Sequence, residues 1–392
     1  MDNADDTNVR GFLVLLYPRK SAQSASSAFK KNITMTPPKF RDLTVILTGA
    51  GAPGWPDIFR CLIENRERHI GIIAVDMDND VAGYHLAPKH AVVPPGKAPD
   101  YISQMLELAA RYKVDAIMPL TDFELLPLAR EKHSFQELSV VIPVAPVTAL
   151  EIATDKIRVH EFLAEENLGV PEFAVARNLD EFEAAVKTLD YPNRKICFKP
   201  GVAHGSRGFR ILDPNASEAA ALFSTKVEET LYSITFEHAQ RLLAEFNKIP
   251  PLLLTEYLPG MEYSVDLLID HGEILSTVCR ERSRVRFGLT NQGCVVADLE
   301  LATLAENIAR KVGLNYNANL QFKRAADGQP KILEINPRTS GTIALCRAAG
   351  VNLPYLGLKL ALGEPVAVTP PVIGTKNYRY WTHVFVGPER RA

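Results

Sequence analysis

The feature that most constrains the fold is an apolar, β-rich run that passes directly into a glycine-rich turn. Residues 43–48 read Leu-Thr-Val-Ile-Leu-Thr, and residues 49–54 read Gly-Ala-Gly-Ala-Pro-Gly. A helix is expected after the turn, and residues 69–75 are a second expected strand that ends at Asp76. A strand, a glycine turn, a helix, a strand and an acidic residue in this order predict a parallel α/β unit.

The alternation continues along the chain. Residues 101–112 have the apolar spacing of a helix, residues 114–120 are an expected strand, and residues 140–143 are a further short one. Alternating β and α elements predict a parallel sheet with right-handed crossovers.

The glycine turn itself, with Gly49, Gly51 and Gly54, has two interpretations at this point. It is a tight turn at the carboxyl end of a strand, or it is part of an NAD site. Pro53 and Trp55 are unusual where a helix must begin close to a pyrophosphate. The residues alone leave both interpretations open.

Composition excludes several classes of protein. A chain of 392 residues with 46% hydrophobic and 23% charged residues is neither mostly disordered, nor collagen, nor a coiled coil. The longest apolar candidate, residues 12–17, is far too short to span a bilayer. A net charge of −2 gives no electrostatic reason to expect nucleic acid or an anionic membrane as a partner. Five cysteines, none in a CxxC, favour reduced thiols in a cytoplasmic protein.

The beginning of the chain differs from the rest. Residues 1–42 open with acidic residues where a signal peptide would be basic, and they include a small polar stretch and Pro37-Pro38. We expect a flexible leader, with a transit peptide as the weaker alternative and Met35 as an alternative natural start.

One lysine lies at the expected beginning of a helix, and another lies at the expected end of a strand, before a glycine-rich loop. Residues 154–156 read Thr-Asp-Lys and are expected to begin a helix, with Lys156 in its first turn. Residues 195–200 are an expected strand that carries Lys199, and a loop with three glycines follows at 201–208. Such a loop can wrap a phosphate with its backbone N–H groups. The alternatives are a solvated lysine and an ordinary hairpin loop.

Two further segments suggest a cleft. Residues 252–258 and 262–269 are expected strands joined by Pro259-Gly260, an arrangement that can present backbone groups to a flat heterocycle. The stretch 213–251, between the glycine-rich loop after Lys199 and the strand expected at 252–258, contains helical patterns, and its role stays open. Residues 377–386 alternate aromatic and polar residues and predict a closing strand, with a partner-binding strand as the alternative.

The strongest pattern is a pair of strands near residue 330. Side chains alternate across a strand, so Glu334 and Asn336 share one face. On the preceding strand, Gln321 shares one face with Asn319 and Lys323. Asp327-Gly328 supplies the hairpin turn between them. Three oxygen-bearing groups with one formal charge suit Mg²⁺, and Arg338 follows directly with a guanidinium for carboxylate or phosphate. The alternative is a polar strand face open to water.

Taken in order, these segments resemble the ATP-grasp superfamily, most closely one synthetase half of the carbamoyl-phosphate synthase large subunit and related carboxylate–amine ligases. The resemblance covers about residues 43–370, although only one set of motifs is present. The matching segments are Thr-Asp-Lys at 154–156, Phe-Lys-Pro at 198–200, Gly-Ser-Arg-Gly at 205–208, Glu-Tyr-Leu-Pro-Gly at 256–260, Asn-Leu-Gln-Phe at 319–322 and Glu-Ile-Asn-Pro-Arg at 334–338.

The resemblance implies an α/β and α+β fold, in which a Rossmann-like pre-ATP-grasp domain precedes a two-lobed ATP-grasp domain. The implied boundaries are a leader at 1–42, the Rossmann-like domain at 43–147, a lid-bearing lobe at 148–258, and a C-terminal lobe with the metal site and closing strand at 259–392.

The resemblance also implies site residues, and it replaces the NAD interpretation by a loop that faces an acceptor substrate. The implied roles are ATP phosphate contacts for Lys156, Lys199, Gly205 and Ser206; adenine contacts for Glu256, Tyr257 and Leu258; a ribose contact for Glu262; Mg²⁺ or Mn²⁺ ligands in Gln321, Glu334 and Asn336; catalysis by Arg338 and Arg280; and the acceptor loop with Gly49, Gly51 and Gly54.

The implied activity is an ATP-dependent ligase that joins a small carboxylate, such as an amino acid, to an amine through an acyl phosphate. The alternatives are a bicarbonate-using enzyme similar to carbamoyl-phosphate synthase or a carboxylase, and a non-catalytic ATP-binding regulatory protein. The expected partners are small molecules and a second copy in a homodimer, with neither nucleic acid nor membrane.

Overall fold

The first part of the chain forms a four-stranded parallel sheet in the computed structural model, which describes residues 40–202, 207–223, 229–286 and 288–387. The spatial order is β3-β2-β1-β4, and every pairing is parallel. The strands are β1 Leu43–Leu47, β2 Ile70–Asp76, β3 Lys89–Val92 and β4 Ala116–Met118. The predicted parallel unit is confirmed, and the predicted leader lies outside the described residues up to residue 39.

The predicted strand at residues 140–143 is wrong. The structure has only a single bridge between Ala116 and Val141 there. The segment contains Pro143, which has no N–H to donate to a ladder.

Six helices, α1 to α6, lie between and after the strands of this sheet along the chain. The predicted helix at 101–112 is confirmed as α2, and Asp155 caps α6 by accepting a hydrogen bond from the Ile157 N–H at 2.9 Å. The helices are α1 Trp55–Ile63, α2 Tyr101–Tyr112, α3 Asp122–Arg130, α4 Lys132–Glu137, α5 Val147–Ala153 and α6 Lys156–Glu165.

A second sheet has five strands in the order β5-β9-β6-β7-β8. Its pairings are antiparallel except between β7 and β8. The stretch 213–251 supplies β8 and three of the four helices. The elements are β5 Phe173–Ala176, α7 Leu179–Thr188, β6 Ile196–Pro200, β7 Arg210–Leu212, α8 Glu218–Phe223, α9 Glu229–Tyr232, β8 Ser233–Ile234, α10 Phe236–Ala244 and β9 Leu252–Glu256.

The third sheet is antiparallel, with six strands in the order β14-β13-β10-β11-β12-β15. It carries the predicted hairpin, since β13 and β14 pair directly and Gly328 in their turn has a φ of 84°. The elements are β10 Glu262–Asp270, β11 Glu273–Arg286, β12 Leu289–Val295, α11 Leu299–Val312, β13 Tyr316–Arg324, β14 Pro330–Asn336, α12 Ala344–Ala348, α13 Leu353–Ala361 and β15 Lys376–Tyr378.

The apolar cores show which parts are tightly joined. Ile46 and Leu125 of the first part share one buried cluster with Val265 and Leu320 of the six-stranded sheet. The five-stranded sheet has a separate core around Phe182. Helices α5 and α6, which the expected boundary at 148 assigns to the lid-bearing lobe, pack into the shared cluster. The five-stranded sheet is therefore the unit that has a core of its own.

The C-terminal segment forms less strand than predicted. The closing strand expected at 377–386 is limited to β15, which pairs with β12. Beyond it, Tyr380, Trp381 and Phe385 are exposed, and the described residues up to 387 form no further strand. None of the helices in the described part of the chain has the length and apolar character that crossing a membrane requires.

Candidate active site

A cavity of about 550 Å³ lies where the three sheets meet. Lys199 and Tyr257 come from the five-stranded sheet and its exit, Glu334 comes from β14, and Gly54 and Asp122 come from the first part of the chain. Most of the residues that the sequence predicts for ATP, metal and acceptor therefore line one space.

Two lysines meet at one end of this cavity. Lys156 begins α6, and its Nζ lies 3.6 Å from Glu334 Oε2. The Lys199 Nζ donates to the Leu333 carbonyl oxygen at 2.9 Å. Each lysine thus contacts β14, and the two cations face the same carboxylate.

Burial and neighbouring charges shift the pKa values of Lys199 and Glu334. The pKa of Lys199 falls to about 8, mainly because burial disfavours the ammonium and also because Lys156 repels it, while Glu334 opposes the shift. Burial would raise the pKa of Glu334, but the charges of Lys156 and Lys199 hold it below its usual range. Glu334 is therefore an anion held between two cations.

The three predicted metal ligands share one strand face, as predicted. Gln321 lies opposite Glu334 in the ladder, and Asn336 lies opposite Asn319. The Asn336 Nδ2 donates to Glu334 Oε1 at 3.3 Å, so these two side chains are in contact.

The oxygen groups fit a magnesium ion in part. Glu334 offers a carboxylate and Asn336 an amide oxygen, the ligand types that Mg²⁺ takes together with water and phosphate. The Gln321 Oε1 accepts a hydrogen bond from Arg282 Nη1 at 2.6 Å, so that oxygen is already shared with a cation. The Asn336 Oδ1 likewise accepts a hydrogen bond from Arg338 Nη2 at 3.3 Å, so Glu334 is the ligand that this geometry supports best.

The predicted adenine and ribose residues all line the cavity: Glu256, Tyr257, Leu258 and Glu262. Apolar side chains of the five-stranded sheet, Phe198, Ile211 and Leu253, line it with them. The carboxylate of Glu262 pairs with Arg282, and Glu256 Oε1 accepts the Glu172 N–H at 3.0 Å. The predicted phosphate contacts Gly205 and Ser206 lie outside the described residues, although Arg207 beside them lines the cavity.

Arg338 also lines the cavity, next to the metal-ligand face. Its Nη2 donates to Asn336 Oδ1 at 3.3 Å, and its Nε donates to Asp122 Oδ1 at 2.7 Å. Burial would lower the pKa of the Arg338 guanidinium, but Asp122 raises it overall, so the charge is retained. Sequence reasoning missed Asp122. The available signal was its position just after β4, since the carboxyl ends of parallel strands face the ligand crevice in such sheets.

The prediction for Arg280 needs correction. Arg280 does not line the cavity, and its side chain is 1% exposed in an ion pair with Asp266. It also donates to Thr342 O at 3.1 Å, in the loop that follows Arg338. Arg282, two residues further along β11, is the one that reaches the cavity. Arg280 therefore contacts the cavity wall from behind and is shielded from any ligand.

The glycine turn packs against the loop that follows β14, at Gly341. Of its three glycines, only Gly54 lines the cavity, and a Cβ there would lie 2.4 Å from Gly341 Cα. The Gly51 N–H donates to Asp76 Oδ2 at 2.8 Å, so the acidic residue that an NAD site would use for ribose holds the turn instead.

Comparisons with known proteins agree with this arrangement. The family model described as "ATP-grasp in the biosynthetic pathway with Ter operon" matches residues 248–384, and the one described as "PylC-like, N-terminal domain" matches residues 57–143. Residues 248–384 therefore form an ATP-grasp domain, and the predicted resemblance to the ATP-grasp superfamily is confirmed. Its members are ATP-dependent ligases that use ATP and Mg²⁺, and the predicted fold class is confirmed.

Curated relatives of the chain include carbamoyl-phosphate synthases. The arginine-specific large chain of Geobacillus stearothermophilus is 27% identical over 237 residues, which are 57% of this chain and 20% of that protein. The carbamoyl-phosphate synthase of Methanobrevibacter smithii is 24% identical over 302 residues, 73% of each chain. This chain thus spans about a fifth of the first relative's length.

Solved structures show the same fold at low identity. The ADP complex of an N5-carboxyaminoimidazole ribonucleotide synthetase has a TM-score of 0.63 at 15% identity, covering 84% of this chain and 79% of that one. The L-amino acid ligase of Bacillus licheniformis has a TM-score of 0.58 at 14% identity, covering 84% and 75%.

Proposed function

We propose that this ATP-grasp protein is a carboxylate–amine ligase that forms an amide or peptide bond on a small metabolite, such as an amino acid. One observation carries the proposal. A continuous series of contacts runs through the cavity from Lys156 to Glu334, Asn336 and Arg338. Cations for phosphate, oxygen ligands for a metal and a guanidinium for a carboxylate are thereby placed side by side.

The reaction uses these groups in two steps. A carboxylate oxygen attacks the γ-phosphorus of ATP, the bond to ADP breaks, and an acyl phosphate forms. An amine then attacks the acyl carbon, phosphate leaves, and the amine proton goes to the phosphate. Phosphoryl transfer of this kind needs alignment and charge stabilisation rather than a covalent contribution from the protein.

In this proposal each group of the cavity has a role. Lys156 and Lys199 hold the ATP phosphates, and Arg338 holds the carboxylate or the phosphoryl group that it receives. Mg²⁺ or Mn²⁺, held by Glu334 and Asn336 with Gln321 beside them, would neutralise phosphate oxygens. The adenine lies at residues 256–258, with the ribose near Glu262.

The names of the curated relatives favour a second candidate function. Carbamoyl-phosphate synthases are named for their product, carbamoyl phosphate. In this second candidate function, bicarbonate and ammonia would replace the metabolite carboxylate and the amine. The proposal further includes a cytoplasmic location and a homodimer. Light scattering of the purified protein would measure the oligomeric state.

The decisive experiment measures ADP release with Mg-ATP against amino acids, singly and in pairs, and against bicarbonate with ammonia. Hydroxylamine added to the same reactions traps an acyl phosphate as a hydroxamate, which identifies the carboxylate even when the amine is unknown. Release that depends on an amino acid supports the ligase, and release with bicarbonate and ammonia alone supports the second candidate.

Glu334→Ala should lower ADP release at least roughly 100-fold, because it removes the anion between the two lysines and a metal ligand. The matched control is Glu273→Ala, at an exposed glutamate of β11 away from the cavity, which should keep normal turnover. Normal turnover by a folded Glu334→Ala protein would contradict the metal and phosphate assignment.

A further inference from the structure

Asp122 and Arg338 form an ion pair in the wall of the cavity, although 216 residues separate them in the chain. Two contacts join them, Nε to Oδ1 at 2.7 Å and Nη2 to Oδ2 at 3.3 Å. The Arg338 side chain is only 20% exposed and the Asp122 side chain 12%, so both charges are largely removed from water. A buried ion pair is weak as a stabilising device, because desolvation offsets its attraction. Its place in a ligand cavity therefore requires another explanation.

The charges of the pair restrict what can bind there. A carboxylate that takes the guanidinium of Arg338 brings a second anion beside Asp122. Without a cation to compensate, the pocket would then hold an unpaired buried carboxylate, which is costly. A ligand that carries a carboxylate and an ammonium on one carbon avoids this cost. Its carboxylate pairs with Arg338 and its ammonium pairs with Asp122, so neither protein charge is left unpaired.

The wall on the side of the glycine turn is mainly apolar, and Thr339 and Ser340, directly after Arg338, also line the cavity. Pro53, Trp55 and Ile58 lie on the glycine turn and α1, Leu120 precedes Asp122, and Leu289 begins β12. Trp55 and Ile58 are fully or almost fully buried, so the apolar surface that a ligand can touch comes mainly from Pro53, Leu120 and Leu289. Such a wall gains free energy by covering a hydrocarbon side chain and gives no partner to a charged one.

We infer that Asp122 is a substrate-binding residue that selects an α-amino acid with an apolar side chain as the carboxylate substrate. This inference rests on the proposed ligase function and adds the substrate class. The carboxylate lies on Arg338, facing the phosphates, and the α-ammonium lies on Asp122. Because Asp122 keeps the ammonium protonated, this amino group has no lone pair with which to attack. The amine that displaces phosphate therefore comes from a second molecule.

The first test compares two probes of the same shape on the unaltered protein. L-Leucine and (S)-2-hydroxy-4-methylpentanoate differ only in an ammonium against a hydroxyl. With Mg-ATP and hydroxylamine, kcat/KM for hydroxamate formation should favour leucine by at least about 30-fold, since the hydroxy acid leaves Asp122 without a cation. Leucine and phenylalanine should also be used in preference to aspartate and lysine. Equal use of leucine and the hydroxy acid would overturn the inference.

The second test removes the charge and keeps the shape. Asp122→Asn should reduce the preference for leucine over the hydroxy acid to within about threefold, chiefly by loss of activity with leucine. The matched control is Glu64→Gln, because Glu64 also pairs with an arginine of the C-terminal part, Arg347, but does not line the cavity. This control should keep the preference of the unaltered protein.

The outcomes separate the inference from the function on which it rests. Retention of the leucine preference by Asp122→Asn would overturn the role of Asp122. ADP release with bicarbonate or with carboxylates that lack an ammonium, and none with apolar amino acids, would overturn the inference and leave an ATP-dependent ligase. Absence of ADP release with every carboxylate would contradict the proposed function itself. If Asp122→Asn fails to fold, the comparison of the two probes on the unaltered protein decides.

Discussion

Lys199 shows how burial can make a lysine in the wall of a ligand cavity sensitive to pH. Its pKa is lowered to about 8, so the free protein loses this charge as the pH rises through that value. In the proposed function the ATP phosphates bind the charged form of Lys199, and binding would therefore raise the pKa of the ammonium. We expect the affinity for Mg-ADP to fall above about pH 8, by at most about tenfold per pH unit, with proton uptake on binding near that pH.

Calorimetric titration of Mg-ADP in two buffers of different ionisation enthalpy measures this proton uptake. The matched variant is Lys199→Arg, because a guanidinium stays charged throughout the range and should take up no proton. An affinity that stays constant from about pH 7 to about pH 9 would show that Lys199 does not hold the phosphates or is not titrating there.

At the level of elements, local patterns predicted most of the strands and which side chains share a face, but not the lack of a strand at 140–143 or the short extent of β15. The alternation in β13 and β14 was sufficient to place Gln321 opposite Glu334, because a strand has a fixed period of two. The same rule could not separate Arg280 from Arg282, which lie on one face of β11. Their depth depends on the loop after Arg338, which covers Arg280 and leaves Arg282 open to the cavity. Such long-range covering has no local signal.

The glycine turn before α1 gives a prediction at the same level. At Gly54 a Cβ would lie 2.4 Å from the Cα and 2.5 Å from the carbonyl oxygen of Gly341, so backbone would have to move. Gly54→Ala should lower the free energy of unfolding by about 1–3 kcal/mol and reduce turnover at least about tenfold, because it displaces a wall of the cavity. Thermal unfolding and ADP release measure the two effects.

Gly71→Ala in β2 is the matched control, since its nearest contact would be 3.7 Å from the Cβ. It should leave turnover and thermal unfolding close to those of the unaltered protein. Equal behaviour of the two alanine variants would contradict the close packing of the glycine turn against Gly341.

For the molecule as a whole, the first part of the chain and the C-terminal part are joined by their shared core and by Arg379, just beyond β15. Arg379 Nη2 donates to Asp57 Oδ2 at 3.2 Å and to Gly341 O at 3.1 Å, and Nη1 donates to Pro53 O at 3.4 Å. A single side chain thus holds together the glycine turn and the loop after Arg338, on the side of the cavity where the carboxylate is proposed to bind, which we call the acceptor side.

Arg379→Ala should therefore raise the KM for the carboxylate substrate by about tenfold, because the acceptor side loses a clamp on its geometry. The affinity for Mg-ADP should stay unchanged, since the lysine end of the cavity does not contact Arg379. Hydroxamate formation and calorimetry measure the two quantities separately. Arg347→Ala is the matched control, because Arg347 joins the same two parts of the chain through Glu64, away from the cavity. A rise in KM with Arg347→Ala, or an equal loss of nucleotide affinity with Arg379→Ala, would indicate general loosening of the fold rather than control of the acceptor side.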